Sequence, residues 1–148
     1  MSADGTEYVR ANDESRARLR ALVDRLDRAE LTRSPMEGWS VSALLAHLAF
    51  WDRFNVHRWR SRLAGTQLPA LDALDDLINE SALPAWNALP PEVAARDVLA
   101  SAEECDAFVA ALNSEVTSRW LAEGRPRSLY RSEHRREHLD DIERALAP

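Results

Sequence analysis

With 148 residues, 45% of them hydrophobic, five Trp and only four Gly, the chain is long enough to bury one core, which excludes the disordered and fibrous classes. All 19 basic residues are Arg, and 25 acidic ones leave a net charge of −6, so no nucleic-acid partner is expected. No apolar run approaches the ~20 residues of a membrane span, and no basic segment followed by an apolar one opens the sequence. The lone Cys105 cannot form an internal disulfide. These features predict a cytoplasmic protein with no membrane partner, folded as one domain over residues 1–148, with Cys105 a small buried apolar residue and not a nucleophile.

A first helix is predicted over residues 6–29, where Leu19, Leu22, Val23 and Leu26 line one face and Arg, Asp and Glu fill the other. Pro35 and Gly38 break the chain, Ser40 stands as an N-cap, and a second helix runs to about Leu63 before Gly65 and Pro69. The segment holding Pro69, Pro84, Pro90 and Pro91 is a connector with one short amphipathic helix, in which Leu71, Leu74 and Ile78 share a side. Pro91 suits the first turn of a third long helix, with Val98, Ala102, Cys105, Val109, Leu112 and Val116 forming a seam up to Gly124 and Pro126. A fourth helix, over residues 128–147, carries Leu139, Ile142 and Leu146. Four long helices without a strand pattern predict an all-α four-helix bundle with a long crossover between the second and third.

His134 and His138 stand four residues apart on the fourth helix, so one turn stacks them on the same face. At about 100° per residue, His138 lies roughly 40° from Ile142, at the border of the buried stripe. His47 lies within roughly 60° of Leu44, Trp51 and Phe54 and therefore faces inward, where its ring nitrogens need partners. A metal shared among the three rings would supply one; a backbone carbonyl or carboxylate for His47 and a solvated face for the pair would be the ordinary alternative. His57 is rotated roughly 80° from His47 and displaced about 15 Å along the helix, which removes it from any common site.

The residues around these histidines carry a resemblance. Gly38-Trp39-Ser40-Val41, His47-Leu48 followed by Trp51-Asp52, and Glu137-His138-Leu139-Asp140-Asp141-Ile142 together resemble the DinB superfamily, and Leu77-Ile78-Asn79-Glu80 leading to Trp86 looks like its connector. The resemblance implies a four-helix bundle, often a homodimer, with a divalent metal held by His47, His134 and His138. It also brings in transferases that use low-molecular-weight thiols and small bundle proteins that detoxify reactive natural products.

Three neutral imidazoles leave a divalent ion its charge and at least one open position, the pattern of catalytic and not structural sites. Such an ion either lowers the pKa of water for hydrolysis or favours a thiol as thiolate. Zinc and nickel are the leading expectations among the metals that imidazole suits. The leading function is therefore a metal-dependent thiol S-transferase acting on a reactive small molecule, with a low-molecular-weight thiol as cosubstrate. Its alternatives are a metal-free hydrolase or self-protection protein, and a non-catalytic dimeric module.

Arg125, Arg127, Arg131, Arg135 and Arg136 cluster near the start of the fourth helix; Arg131 and Arg135, with Trp51 as an apolar wall, are the candidate substrate-binding residues. Solvation or ion pairing is the competing duty for the arginines, and core packing for Trp51. Asp52, rotated about 140° from His47, is better suited to tie helices together than to act as a base. Glu137 and Asp141 are placed to orient the histidines.

Overall fold

The computed structural model describes residues 6–70 and 73–148 and is all-α. The first predicted helix is divided. Helix α1 (Glu7–Arg25) stops short, and Asp27 opens the single turn α2 (Arg28–Leu31), its carboxylate accepting from the Glu30 amide at 2.8 Å while its own amide donates to Glu30 at 2.9 Å. This reciprocal cap satisfies two amides that a continuing helix would have used internally. Before α3 (Val41–Leu63), Gly38 adopts φ 81° in the turn closed by the Trp39 amide on Met36 O, a position at which a side chain would be strained. Ser40 caps α3 as predicted, its hydroxyl accepting from the Ala43 amide at 3.0 Å.

The connector is more helical than its prolines suggest, because α4 (Asp75–Ala88) continues through Pro84 for 14 residues. Leu74 stands at its N-cap and is exposed, Ile78 is half-buried, and Leu71 lies outside the described residues. The third predicted helix is instead two, α5 (Pro91–Ala110) and α6 (Ser114–Ala122). Asn113 makes the break, since its side chain accepts from the Glu115 amide at 2.7 Å and competes with helical bonding. Leu112 and Val116 still pack in the core across that break. A short 3-10 turn (Pro126–Ser128) precedes α7 (Arg131–Leu146).

The four long helices close a ring: α1 packs on α5 and α7, and α3 packs on the same two. Leu19, Leu22, Leu45, Leu48, Val98, Leu139 and Ile142 fill one half of the interior. Val56, Trp59, Cys105, Val109, Trp120 and Leu129 fill the other. Burial pushes the Cys105 thiol up to about 12, in keeping with a packing role. Helix α4 lies outside the ring against α3, where Trp86 joins Ala43, Ala46 and Ala94. Among the described residues, no helix is long and apolar enough to cross a membrane.

Polar ties fix the position of α7. Asn12 on α1 donates to Leu129 O at 2.7 Å and accepts from the Ser132 amide at 3.0 Å, while Asn55 on α3 donates to Ser128 O at 3.1 Å. Arg135, 1% exposed, donates twice to Asp106 on α5 (2.7 and 2.8 Å), once to Asp52 on α3 (3.1 Å), and to Ser15 Oγ and Asn12 O on α1. Arg16 adds a further bond to Asp106 at 2.6 Å. Removing one partner of a buried charge pair strands the other. Asp106→Ala is therefore expected to lower unfolding stability by about 3–5 kcal/mol, read as a drop in the urea midpoint; a midpoint within error of wild type would show that Arg135 finds other partners.

Candidate metal centre

The inward face of α3 brings His47 to a gap between α3 and the first two turns of α7, and the register fixed by Arg135 sets His134 and His138 opposite it. The three ring centroids lie 4.9–5.0 Å apart, and one ring nitrogen from each falls within 4.8 Å of the other two. His47 Nε2 and His134 Nε2 face each other at 3.0 Å. His138 turns Nδ1 to the Asp141 carboxylate at 3.2 Å, leaving Nε2 for the gap. His134 Nδ1 faces Arg131 Nη2 at 3.5 Å.

His47 is 5% exposed, and His134 and His138 are half-buried, so what exposure the three rings keep belongs to the two on α7. Aromatic edges surround His47, with Trp39 and Trp86 centred 5.4 Å away and Trp51 at 6.4 Å. The Trp51 indole donates to Asn79 of α4 at 2.9 Å, which anchors it beside the ring. Burial pushes His47 down to about 3, with His138 adding to the effect and Asn79 opposing it. His134 is lowered further still, first by burial and then by the Arg131 charge. Both rings are therefore neutral at neutral pH, the state that a metal requires of a histidine.

The donor set fits a divalent ion. Three imidazoles converge, one of them already oriented by a carboxylate, and His47 Nδ1 is a buried polar atom without a hydrogen-bond partner.

The other candidates fall in distinct places. Trp51 stands beside His47, as a wall would. Arg135 is spent inside the bundle on Asp106 and Asp52, and its guanidinium offers a substrate almost no surface. Arg131 is buried as well, bonded through Nε to Asp52 Oδ1 at 2.9 Å. Arg125 pairs with Glu123 and Arg127 with Glu133 at the surface, while Arg136 is exposed. Asp52 is a helix tie, accepting from both buried arginines of α7. Asp141 orients His138; Glu137 points to solvent. His57 is exposed away from the three rings, on an outer groove of about 360 Å³ with Phe50, Phe54 and Trp86.

Residues 13–142 match the sequence profile of the mycothiol maleylpyruvate isomerase N-terminal domain, a span that contains all three histidines and most of the helical ring. The chain belongs to this family, a branch of the DinB-like superfamily. No curated protein and no solved structure matches it. The family thus has, in this member, a three-histidine group able to hold a divalent ion. Trp39, Asn79 and Trp86 are the site neighbours to which sequence reasoning gave no role. Their only signal was membership of the motifs around Gly38 and Ile78, because chain position does not tell which side chains of a connector fold back.

A depressed histidine makes stability depend on pH in a definite direction. Below about 6.5 the unfolded chain protonates His47 while the fold keeps it neutral down to about 3, so stability falls with pH through that window. The metal-free protein is expected to lose about 1.4 kcal/mol per pH unit from His47 alone, measured by urea denaturation at pH 6.5 and 5. His134, lowered for the same first cause, adds a like share, so His47→Gln should remove roughly half of the total slope; an unchanged slope would mean that the His47 ring is not buried neutral.

Proposed function

We propose that this chain is a metal-dependent thiol transferase, with His47, His134 and His138 holding a divalent ion and a low-molecular-weight thiol reacting with an electrophilic small molecule. The observation that carries the reading is the convergence of three ring nitrogens within 4.8 Å between α3 and α7, with His47 and His134 held neutral. The family description adds mycothiol as the candidate thiol. A bound divalent ion supplies the positive charge that lets a thiol ionise near neutral pH.

The remaining work falls to the chain. Asp141 fixes the His138 ring so that its free nitrogen points into the gap. Trp39, Trp51 and Trp86 shut water out behind His47 and offer the apolar part of an electrophile a surface. In the reaction the thiol gives up its proton to solvent water, a sulfur–carbon bond forms as the bond from that carbon to the leaving group breaks, and the bond's electron pair departs with the leaving group as an anion. None of the arginines near the start of α7 faces the rings freely: Arg131 and Arg135 are engaged with Asp52, and Arg136, two residues from each histidine, lies roughly 160° around the helix from both.

Elemental analysis of untagged protein tests the site, alongside consumption of mycothiol with a chromogenic electrophile. Near-stoichiometric zinc or nickel in the wild type, lost in His47→Ala and in His138→Ala together with a turnover decrease of about 100-fold, is the expected result. Wild-type protein that holds neither metal after reconstitution would end the metalloenzyme reading.

A further inference from the structure

A histidine that ligates a metal ordinarily gives its other ring N–H to a carboxylate or carbonyl, which fixes the ring and strengthens it as a donor. His138 has such a partner in Asp141. His134 has the opposite, because the atom behind its Nδ1 is Arg131 Nη2 at 3.5 Å. A guanidinium has five N–H donors, no acceptor, and does not give up its charge. Only a lone pair on His134 Nδ1 can face it, so the ring proton sits on Nε2, where His47 Nε2 at 3.0 Å accepts it. The His47 proton is then on Nδ1, the atom found buried without a partner.

We infer that Arg131, braced by Asp52, is a positioning residue that weakens His134 as a ligand and makes the three-histidine site unequal, with His138 its firmest holder and His134 the one that yields. This rests on the metal reading above. Ligation through His134 Nε2 needs that lone pair free, which moves the ring proton to Nδ1 against the N–H groups of Arg131. Donor then meets donor, and a fixed cation stands behind the ligand of another cation. Arg131 has little freedom to withdraw: Nε is held by Asp52 at 2.9 Å, Nη1 donates to Arg127 O at 3.3 Å, and Arg135 holds the other oxygen of Asp52 at 3.1 Å. The result is an ion bound less tightly and with less of its charge quenched, which suits activation of an incoming thiol.

Long-range proton–nitrogen NMR on the metal-free wild type tests the first step without any variant: His134 is expected as the Nε2–H tautomer, and an Nδ1–H tautomer overturns the inference. Titration with Co2+ tests the second. Arg131→Met should bind Co2+ at least about tenfold more tightly than wild type, equivalent to about 1.4 kcal/mol, whereas Arg131→Lys, which keeps the charge and a partner for Asp52, should stay close to wild type. Equal Co2+ affinity in wild type and Arg131→Met, both shown folded by circular dichroism, overturns the inference and leaves the metal reading intact. Absence of Co2+ binding in both chains removes the metal reading and this inference with it.

Discussion

At the centre of the bundle, the guanidinium of Arg135 is cut off from water and bonded to all three of the other long helices: to Asp106 on α5, to Asp52 on α3, and to Ser15 Oγ and the Asn12 carbonyl on α1. A charge so placed is tolerable only with its partners in position, since desolvation opposes it and the two carboxylates must outweigh that opposition. A slip of α7 by one residue would turn Arg135 about 100° away from both carboxylates. The apolar stripe of α7, with only Leu139 and Ile142 fully buried, could not fix that register so sharply by itself.

The candidate site inherits this register. His134 precedes Arg135 by one residue and His138 follows it by three, so whatever holds the guanidinium also holds both rings opposite His47. Asp52 serves both purposes, gripping Arg135 with one oxygen and Arg131 with the other. A single carboxylate on α3 therefore connects the stability of the bundle with the electrostatic surroundings of His134. The aspartate that follows Trp51 is rotated away from His47, which fits a residue that acts through the arginines of α7 and not on a reacting atom.

Around the rings, apolar and polar surroundings oppose each other in a useful way. Trp39, Trp51 and Trp86 strip water from His47 and hold it neutral, ready to act as a ligand. Asp141 and Arg131 then distinguish the two histidines of α7, one backed by a negative charge and the other by a positive one. Their charged neighbours set these two rings of one helix face apart.

Much of this could be read along the chain. Helical periodicity located the four long helices, Ser40 announced the start of α3, and the spacing of His134 and His138 with the inward angle of His47 pointed to the residues that converge. These are local properties, decided by side-chain repeat and the geometry of one helix. Asn113, which divides the third helix, and Asp27, which divides the first, were missed because an apolar repeat continues across each break and outweighs a capping residue when a pattern is read alone. The cluster of arginines before and within α7 left anion binding and ion pairing both open, because five like charges close in sequence say nothing about which will find a carboxylate. Only the placement of α7 between α1 and α3, across the ring from α5, sent Arg131 and Arg135 inward to Asp52 and Asp106, and left Arg136 outside. The sequence thus determined the helices and the ligand candidates, while the tertiary structure decided which charges are buried and which stand behind each ring, because ion pairing depends on distances between helices that no spacing along one helix encodes.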